Sequence, residues 1–302
     1  MKELGVRIGA RNIRIIDCHT HHHPMKAAGK LTAFLRDGSA AAESLRIERP
    51  ADPSTTGYFQ AAERFNLVAS VNLPVANYDK TPEQVARMND WAKELMDNNP
   101  GRVFSLAAIN PHLPFNIIAA ELERIRSFGF LGVKLHPMAD SMGWKFQKFD
   151  PIDEQWLPFY ELLNVHGWTI FWHCGGVTLD DRVYNATPPK LARINEMFPK
   201  LRQVAAHLGG WQWRETTKHL AEREHVFFDL AYCHPLIQTP EVMKEIVMAL
   251  GSERIMWGTD FPYMSLENSI AGFSRLITLL TPEEIEAIFF HNAVRIFNLP
   301  IE

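Results

Sequence analysis

Eight short apolar runs recur along the chain: "IRIIDCH", "NLVASVNLP", "RVFSLAAINP", "GFLGVKLHP", "WTIFWHCGG", "QVAAHLGG", "HVFFDLAYC" and "RIMWGTDFPY". Each is nearly continuous rather than alternating, the pattern of strands buried on both faces. Segments with helical periodicity lie between them. "TPEQVARMNDWAKELMDNN" opens with Thr81 as N-cap, Pro82 at the first helical position and Gln84 closing a capping box. Thr-Pro pairs at Thr187-Pro188, Thr239-Pro240 and Thr281-Pro282 precede further helical patterns, and Thr281 with Glu284 repeats the box. Eight β-α alternations predict an α/β fold with a parallel sheet inside and helices outside, and eight is the count that closes a (β/α)8 TIM barrel. A doubly wound sheet is the alternative, but no glycine-rich phosphate turn follows the first run.

Such a barrel needs about 250 residues, and the chain has 302. The surplus lies after the first run, in "MKAAGKLTAFLRDGSAAAESLRIERPADPSTT". The expectation is an insertion over about residues 24–55, a long loop or small subdomain placed to act as a lid. No separate second domain, repeat or low-complexity tract interrupts the rest, so 1–302 reads as a single barrel domain. The formal net charge of −4 argues against a general electrostatic grip on nucleic acid. No run approaches the roughly 20 apolar residues of a membrane span, and the first residues carry no apolar stretch of the signal-peptide kind. Cys18, Cys174 and Cys233 are odd in number and far apart, which fits a reducing compartment. A cytoplasmic protein without nucleic-acid or membrane partners is expected.

In a TIM barrel, chemistry sits at the C-terminal strand ends. The first run ends in Asp17, His19 and His21, which alternation would place on one face, with Cys18 and Thr20 on the other. The fifth run ends in His173, the sixth in His207 and the eighth in Asp260. Each has an ordinary reading alone: a strand-end histidine commonly just meets solvent, and Asp260 suits a turn before Phe261-Pro262. Together they gather a histidine pair, two further histidines and an aspartate at one barrel mouth, a donor set for zinc, manganese or iron. His22 and His23 follow the strand and are expected to be bystanders. Asp17 could steady an imidazole from behind or face away from the mouth. Cys18 and Cys174 read as small core residues.

These residues resemble a known family. "DCHTH" looks like the Asp-x-His-x-His opening of the amidohydrolase superfamily, and "WHCGG", "AHLGG" and "GTDFPY" resemble its strand-five histidine, strand-six histidine and strand-eight aspartate. "EEIEAIFFHNAVRIFNL" is similar to the closing helix of the amidohydrolase-related branch, which includes aminocarboxymuconate-semialdehyde decarboxylase. The resemblance runs from Ile15 to about Leu299. It implies a catalytic divalent metal, zinc before manganese or iron, held by His19, His21, His173 and Asp260, with His207 beside the water or the substrate. Two-metal members use a bridging carboxylated lysine on strand four, where Lys134 stands; its alternatives are an ordinary rim lysine or a partner for a substrate anion. Related enzymes are often dimers, so a homodimer is the expectation that the resemblance carries.

A metal with an open position lowers the pKa of bound water from 15.7 towards about 7. Asp260 would carry the proton, and His207 would orient the water or polarise the scissile carbonyl. Gly175, Gly176, Gly209 and Gly210 would leave room for a ligand against the backbone. Arg46, Arg49, Trp144, Lys145, Arg182, Tyr184 and Trp211 lie in the expected mouth loops, where arginine suits a small carboxylate-bearing substrate. Lys134, Arg182 and Trp211 are the expected substrate contacts. The expected activity is metal-dependent hydrolysis of a small organic acid, lactone or amide. The alternative is non-oxidative decarboxylation of an aromatic or unsaturated carboxylic acid, which uses the same ligands.

Overall fold

The computed structural model describes residues 6–9, 11–24, 52–138, 147–175, 185–233 and 239–302. The expected insertion at 24–55 lies almost wholly outside the described residues.

A small antiparallel hairpin, β1 (Arg7–Ile8) and β2 (Arg11–Asn12), precedes the main sheet. The eight apolar runs become strands: β3 (Ile15–Thr20), β4 (Leu67–Asn72), β5 and β6 (Val103–Ser105, Ala107–Ala108), β7 (Gly132–Leu135), β8 (Thr169–Trp172), β9 (Gln203–Ala205), β10 (Val226–Asp229) and β11 (Ile255–Met256). All their pairings are parallel and follow chain order. β5 and β6 are two pieces of one run, and Leu106 between them donates to the Asn72 carbonyl. The ring closes where β3 meets the chain after β11: Cys18 N donates to Trp257 O (3.1 Å), Asp260 N to His19 O (2.8 Å) and His21 N to Phe261 O (2.7 Å). The fold is the expected (β/α)8 barrel.

Helices α1 (Thr55–Ala62), α2 (Pro82–Asn98), α3 (Phe115–Arg124), α4 (Leu157–His166), α5 (Pro188–Met197), α6 (Trp213–Leu220), α7 (Pro240–Leu250) and α8 (Leu266–Ile277) surround the strands. Both capping boxes form, at Thr81–Gln84 and Thr281–Glu284. Thr187 and Thr239 precede helices whose first turn holds proline, but their side chains make no cap bond. The C-terminal segment is not one regular helix. α9 (Pro282–Glu286) and α10 (Asn292–Phe297) flank a π turn at Ala287–His291, where the Ile288 carbonyl accepts from Trp257 N (2.9 Å). No helix among the described residues is long and apolar enough to cross a membrane.

Strand alternation divides the core in two. Ile170, Trp172, Val226, Phe228 and Trp257 pack outward against the helices, while Phe171, Val204, Phe227 and Met256 fill the barrel interior with Phe290 and Phe297 of the C-terminal segment. β3 breaks this rhythm. Its register against β4 shifts between Asp17 and Thr20, and an extra residue in a strand reverses the side-chain phase beyond it. The expected common face for Asp17, His19 and His21 is therefore corrected. Ile16 and Cys18 face the interior, Asp17 turns outward, and His19 comes back inward beside Phe171.

Asp17 is consequently a wall residue and not the support of an imidazole. It accepts from Thr259 N (2.9 Å), Thr259 Oγ1 (2.7 Å), Tyr58 Oη (3.1 Å) and His19 N (3.2 Å). Burial pushes its carboxyl up to about 7, against the lowering pull of these bonds. It thus pins α1 and the loop after β11 to the first strand. Tyr58→Phe removes one donor from this buried group and should cost about 1–3 kcal/mol; an unchanged denaturation midpoint would show that the bond carries no weight.

Candidate metal centre

Beyond the apolar interior layer the inward positions turn polar. Lys134 lies between the outward-packed Val133 and Leu135, so its chain enters the interior and not the rim. Nζ sits 4.6 Å from the Phe171 ring centre and is buried without a hydrogen-bond partner among the described residues. Burial pulls its pKa down to about 8, while Asp229 and Asp260 hold it up.

Three imidazoles have Nδ1 committed. His21 Nδ1 lies 2.7 Å from the Leu73 carbonyl, His207 Nδ1 2.7 Å from the Ala231 carbonyl and His19 Nδ1 2.9 Å from Asp229 Oδ2. A carbonyl oxygen only accepts, so the ring facing it carries its proton on Nδ1. Burial holds His19 well below, and His207 below, the ordinary histidine pKa. In a neutral ring with Nδ1 protonated, Nε2 is a bare lone pair. His19 Nε2 stands 3.3 Å and His21 Nε2 3.1 Å from the same Asp260 Oδ1. At the neutral His19 ring, acceptor thus faces acceptor in a nearly dry site, which repels unless a proton or a cation intervenes. His19 Nε2 makes no hydrogen bond among the described residues. One donor atom each from His19, His207 and Asp260 falls within 4.8 Å of the others, close enough to converge on one ion. Imidazole nitrogen and carboxylate oxygen suit zinc, manganese or iron, so the residues fit a divalent metal. The His21 and Asp260 side chains are 12% and 13% exposed while His19 is fully buried, so the cluster opens on the His21–Asp260 side.

The structure thus brings His19, His21 and Asp260 together and adds His207. His173 stands one step away, with Nδ1 3.4 Å from His207 Nε2. Its ring stacks on His136, with centroids 3.7 Å apart and planes at 11°. Burial holds both rings well below the ordinary histidine pKa, and a stacked pair so close is electrostatically sound only with at most one charge. His22 points elsewhere, its Nε2 3.1 Å from Ser70 Oγ and its ring against Tyr58 and Phe59. Gly209 and Gly210 do not leave space for a ligand: a Cβ there would lie 2.0 Å from Thr216 Oγ1 and from the Cys174 carbonyl, respectively. Arg46, Arg49, Trp144, Lys145, Gly176, Arg182 and Tyr184 lie outside the described residues, as does the side chain of Trp211.

Two site residues were not anticipated. His136 ends the fourth run, beside the lysine that drew attention there. Asp229 lies inside the seventh run, where it ends strand β10, and it, not Asp17, backs the His19 ring. A polar residue closing an apolar run, the signal at His173, is also present at His136; at Asp229 the signal is a lone carboxylate inside an otherwise apolar run. Burial pushes Asp229 up to about 7, and bonds from the backbone of His207 and Ala231 pull it down.

Fold and site together define a parallel β/α barrel whose mouth holds a histidine–aspartate cluster of the metal-binding kind. The chain matches the amidohydrolase family model over residues 16–299 and belongs to that family. No curated protein sequence matches it. Among solved structures, it resembles an uncharacterised TIM-barrel protein from Bordetella bronchiseptica at 19% identity and TM-score 0.76, covering 95% of this chain and 99% of that one. A dihydroxybenzoic acid decarboxylase from Polaromonas with bound manganese matches at 18% identity and TM-score 0.69, over 96% and 98% of the two chains. A Pseudomonas putida protein assigned as a 2-pyrone-4,6-dicarboxylic acid hydrolase matches at 19% identity and TM-score 0.66, over 97% and 100%. At these identities the likeness shows the fold.

Protein purified without chelators or a histidine tag should carry about one zinc or manganese ion per chain by mass spectrometry. His19→Ala and His21→Ala should each lose it; full metal in either variant would remove that residue from the ligand set.

Proposed function

We propose that this member of the amidohydrolase family is a divalent-metal-dependent hydrolase acting on a small carboxylate-bearing lactone, amide or related organic acid. The observation that carries this reading is the meeting of His19 Nε2 and His21 Nε2 at one oxygen of Asp260. Zinc is the proposed ion, with His19, His21, Asp260 and His173 as proposed ligands; His207 is placed to join them or to stand beside the reacting water. When bound, a divalent ion supplies Lewis acidity and makes hydroxide available near neutral pH.

The protein's own groups divide the remaining work. Asp260, on the open side of the cluster, takes the proton of the attacking water and returns it to the leaving group. His207 keeps its proton on Nδ1, against Ala231 O. Its Nε2 therefore accepts a hydrogen bond and does not donate one, which suits orienting a water better than polarising a carbonyl. Lys134, a buried ammonium without a hydrogen-bond partner among the described residues, is the proposed counter-charge for a substrate anion. Arg182 and Trp211 are proposed further substrate contacts.

A second reading, non-oxidative decarboxylation of an aromatic or unsaturated acid, is favoured by the same lysine. Left unbridged, Lys134 is free to hold an anionic substrate group, and Asp260 would then deliver its proton to the carbon that loses carbon dioxide. The two readings part on atoms. A panel of carboxylate-bearing lactones, amides and aromatic acids, turned over in ¹⁸O-water, should yield product with incorporated ¹⁸O and no carbon dioxide. Carbon dioxide without net water addition would replace hydrolysis with decarboxylation.

Asp260→Asn should lower turnover at least about 10²-fold, the scale of a lost acid–base group, while the protein stays folded. An active variant would end the assignment of Asp260 as proton carrier.

A further inference from the structure

We propose that Asp229 is the positioning residue of this site: its two carboxylate oxygens fix the tautomer of His19 and the backbone of His207, so that both rings present Nε2 to the same point. The inference rests on the metal-site reading above. It concerns a residue on β10 that contributes no donor atom to the cluster itself.

The two oxygens have separate work. Oδ2 lies 2.9 Å from His19 Nδ1. A carboxylate there accepts a hydrogen bond from Nδ1–H, which keeps the proton on Nδ1 and leaves Nε2 bare, the state that a metal ligand needs. Oδ1 accepts from His207 N and from Ala231 N, both at 2.9 Å. The Ala231 carbonyl in turn receives His207 Nδ1 at 2.7 Å. Asp229, His207 and Ala231 thus form a closed circuit of hydrogen bonds.

His207 requires such a circuit. It has φ 58°, and Leu208 after it has φ 52°. Two successive non-glycine residues in the left-handed region persist only where surrounding contacts fix them. Asp229 supplies the contact to the first of these amides. Asp229 is fully buried, so water does not compete for either oxygen. A carboxylate that merely shaped the turn after β10 would account for Oδ1; it would not account for Oδ2 against His19.

The replacement Asp229→Asn separates the two roles. The amide oxygen can still accept from His207 N and Ala231 N. The amide nitrogen then faces His19 Nδ1 as a donor and drives the ring proton to Nε2. In metal-free protein labelled with ¹⁵N-histidine, with the His19 signal assigned by comparison with His19→Gln, the parent should show the proton on Nδ1. In Asp229→Asn it should move to Nε2, with the thermal midpoint near the parent's. Zinc affinity, read by competition with a chelator, should fall by about 10–100-fold.

A parent His19 protonated on Nε2 would overturn the proposal, as would a folded Asp229→Asn protein with unchanged zinc affinity. If Asp229→Asn does not fold, the parent spectrum alone decides. A parent that shows the Nδ1 proton but takes up no zinc would refute the metal reading while leaving Asp229 as the residue that sets His19.

Discussion

The backbone bonds between β3 and the chain after β11 are the contact on which this molecule depends. Cys18 to Trp257, Asp260 to His19 and His21 to Phe261 close the ring of strands. The same bonds set the first-strand histidines against Asp260. Barrel closure and site assembly are therefore one event: a chain that has not joined its first strand to its last has no cluster.

That arrangement places many ionisable groups where water is scarce. Asp17, Lys134, His136, His173, His207 and Asp229 are all buried near His19, and burying a polar group is costly unless it is satisfied. The two carboxylates split the task. Asp17 holds the outer wall through Thr259 and Tyr58. Asp229 holds the inner rings through His19 and the turn at His207. Neither side chain reaches the exposed side of the cluster, where Asp260 stands. Structural support thus falls to Asp17 and Asp229, and the proposed chemistry to a third aspartate, Asp260, within one small volume.

The architecture was legible because both-face burial leaves a continuous apolar run, and all eight runs are strands. Two capping boxes marked helix starts for the same reason: the signal is local. The strand-end rule located His19, His173, His207 and Asp260. His136 and Asp229 are harder to read from sequence: His136 stands two residues from Lys134 on the same run, and Asp229 lies inside an apolar run that continues through Leu230 and Ala231. The phase of β3 could not be read, since nothing local in "IIDCHTH" announces an extra residue; the shift exists only against β4. The positive φ of His207 and Asp260 was equally silent, because tertiary hydrogen bonds, not residue type, hold those backbones. The π turn in the C-terminal segment belongs with them, being tied to Trp257 from outside the helix.

The irregularity in β3 bears on how this motif could be moved between proteins. Asp17 faces out and His19 faces in although only one residue separates them, so the pentad "DCHTH" is not a free-standing unit. Copied into a strand of even pleat, it would send its aspartate and both histidines to the same side and leave the wall without its anchor. A graft would have to carry the extra residue, the Tyr58 and Thr259 partners, and Gly258, where a Cβ would lie 2.7 Å from that of His19. The portable object is a pair of adjoining barrel edges, not a string of five letters.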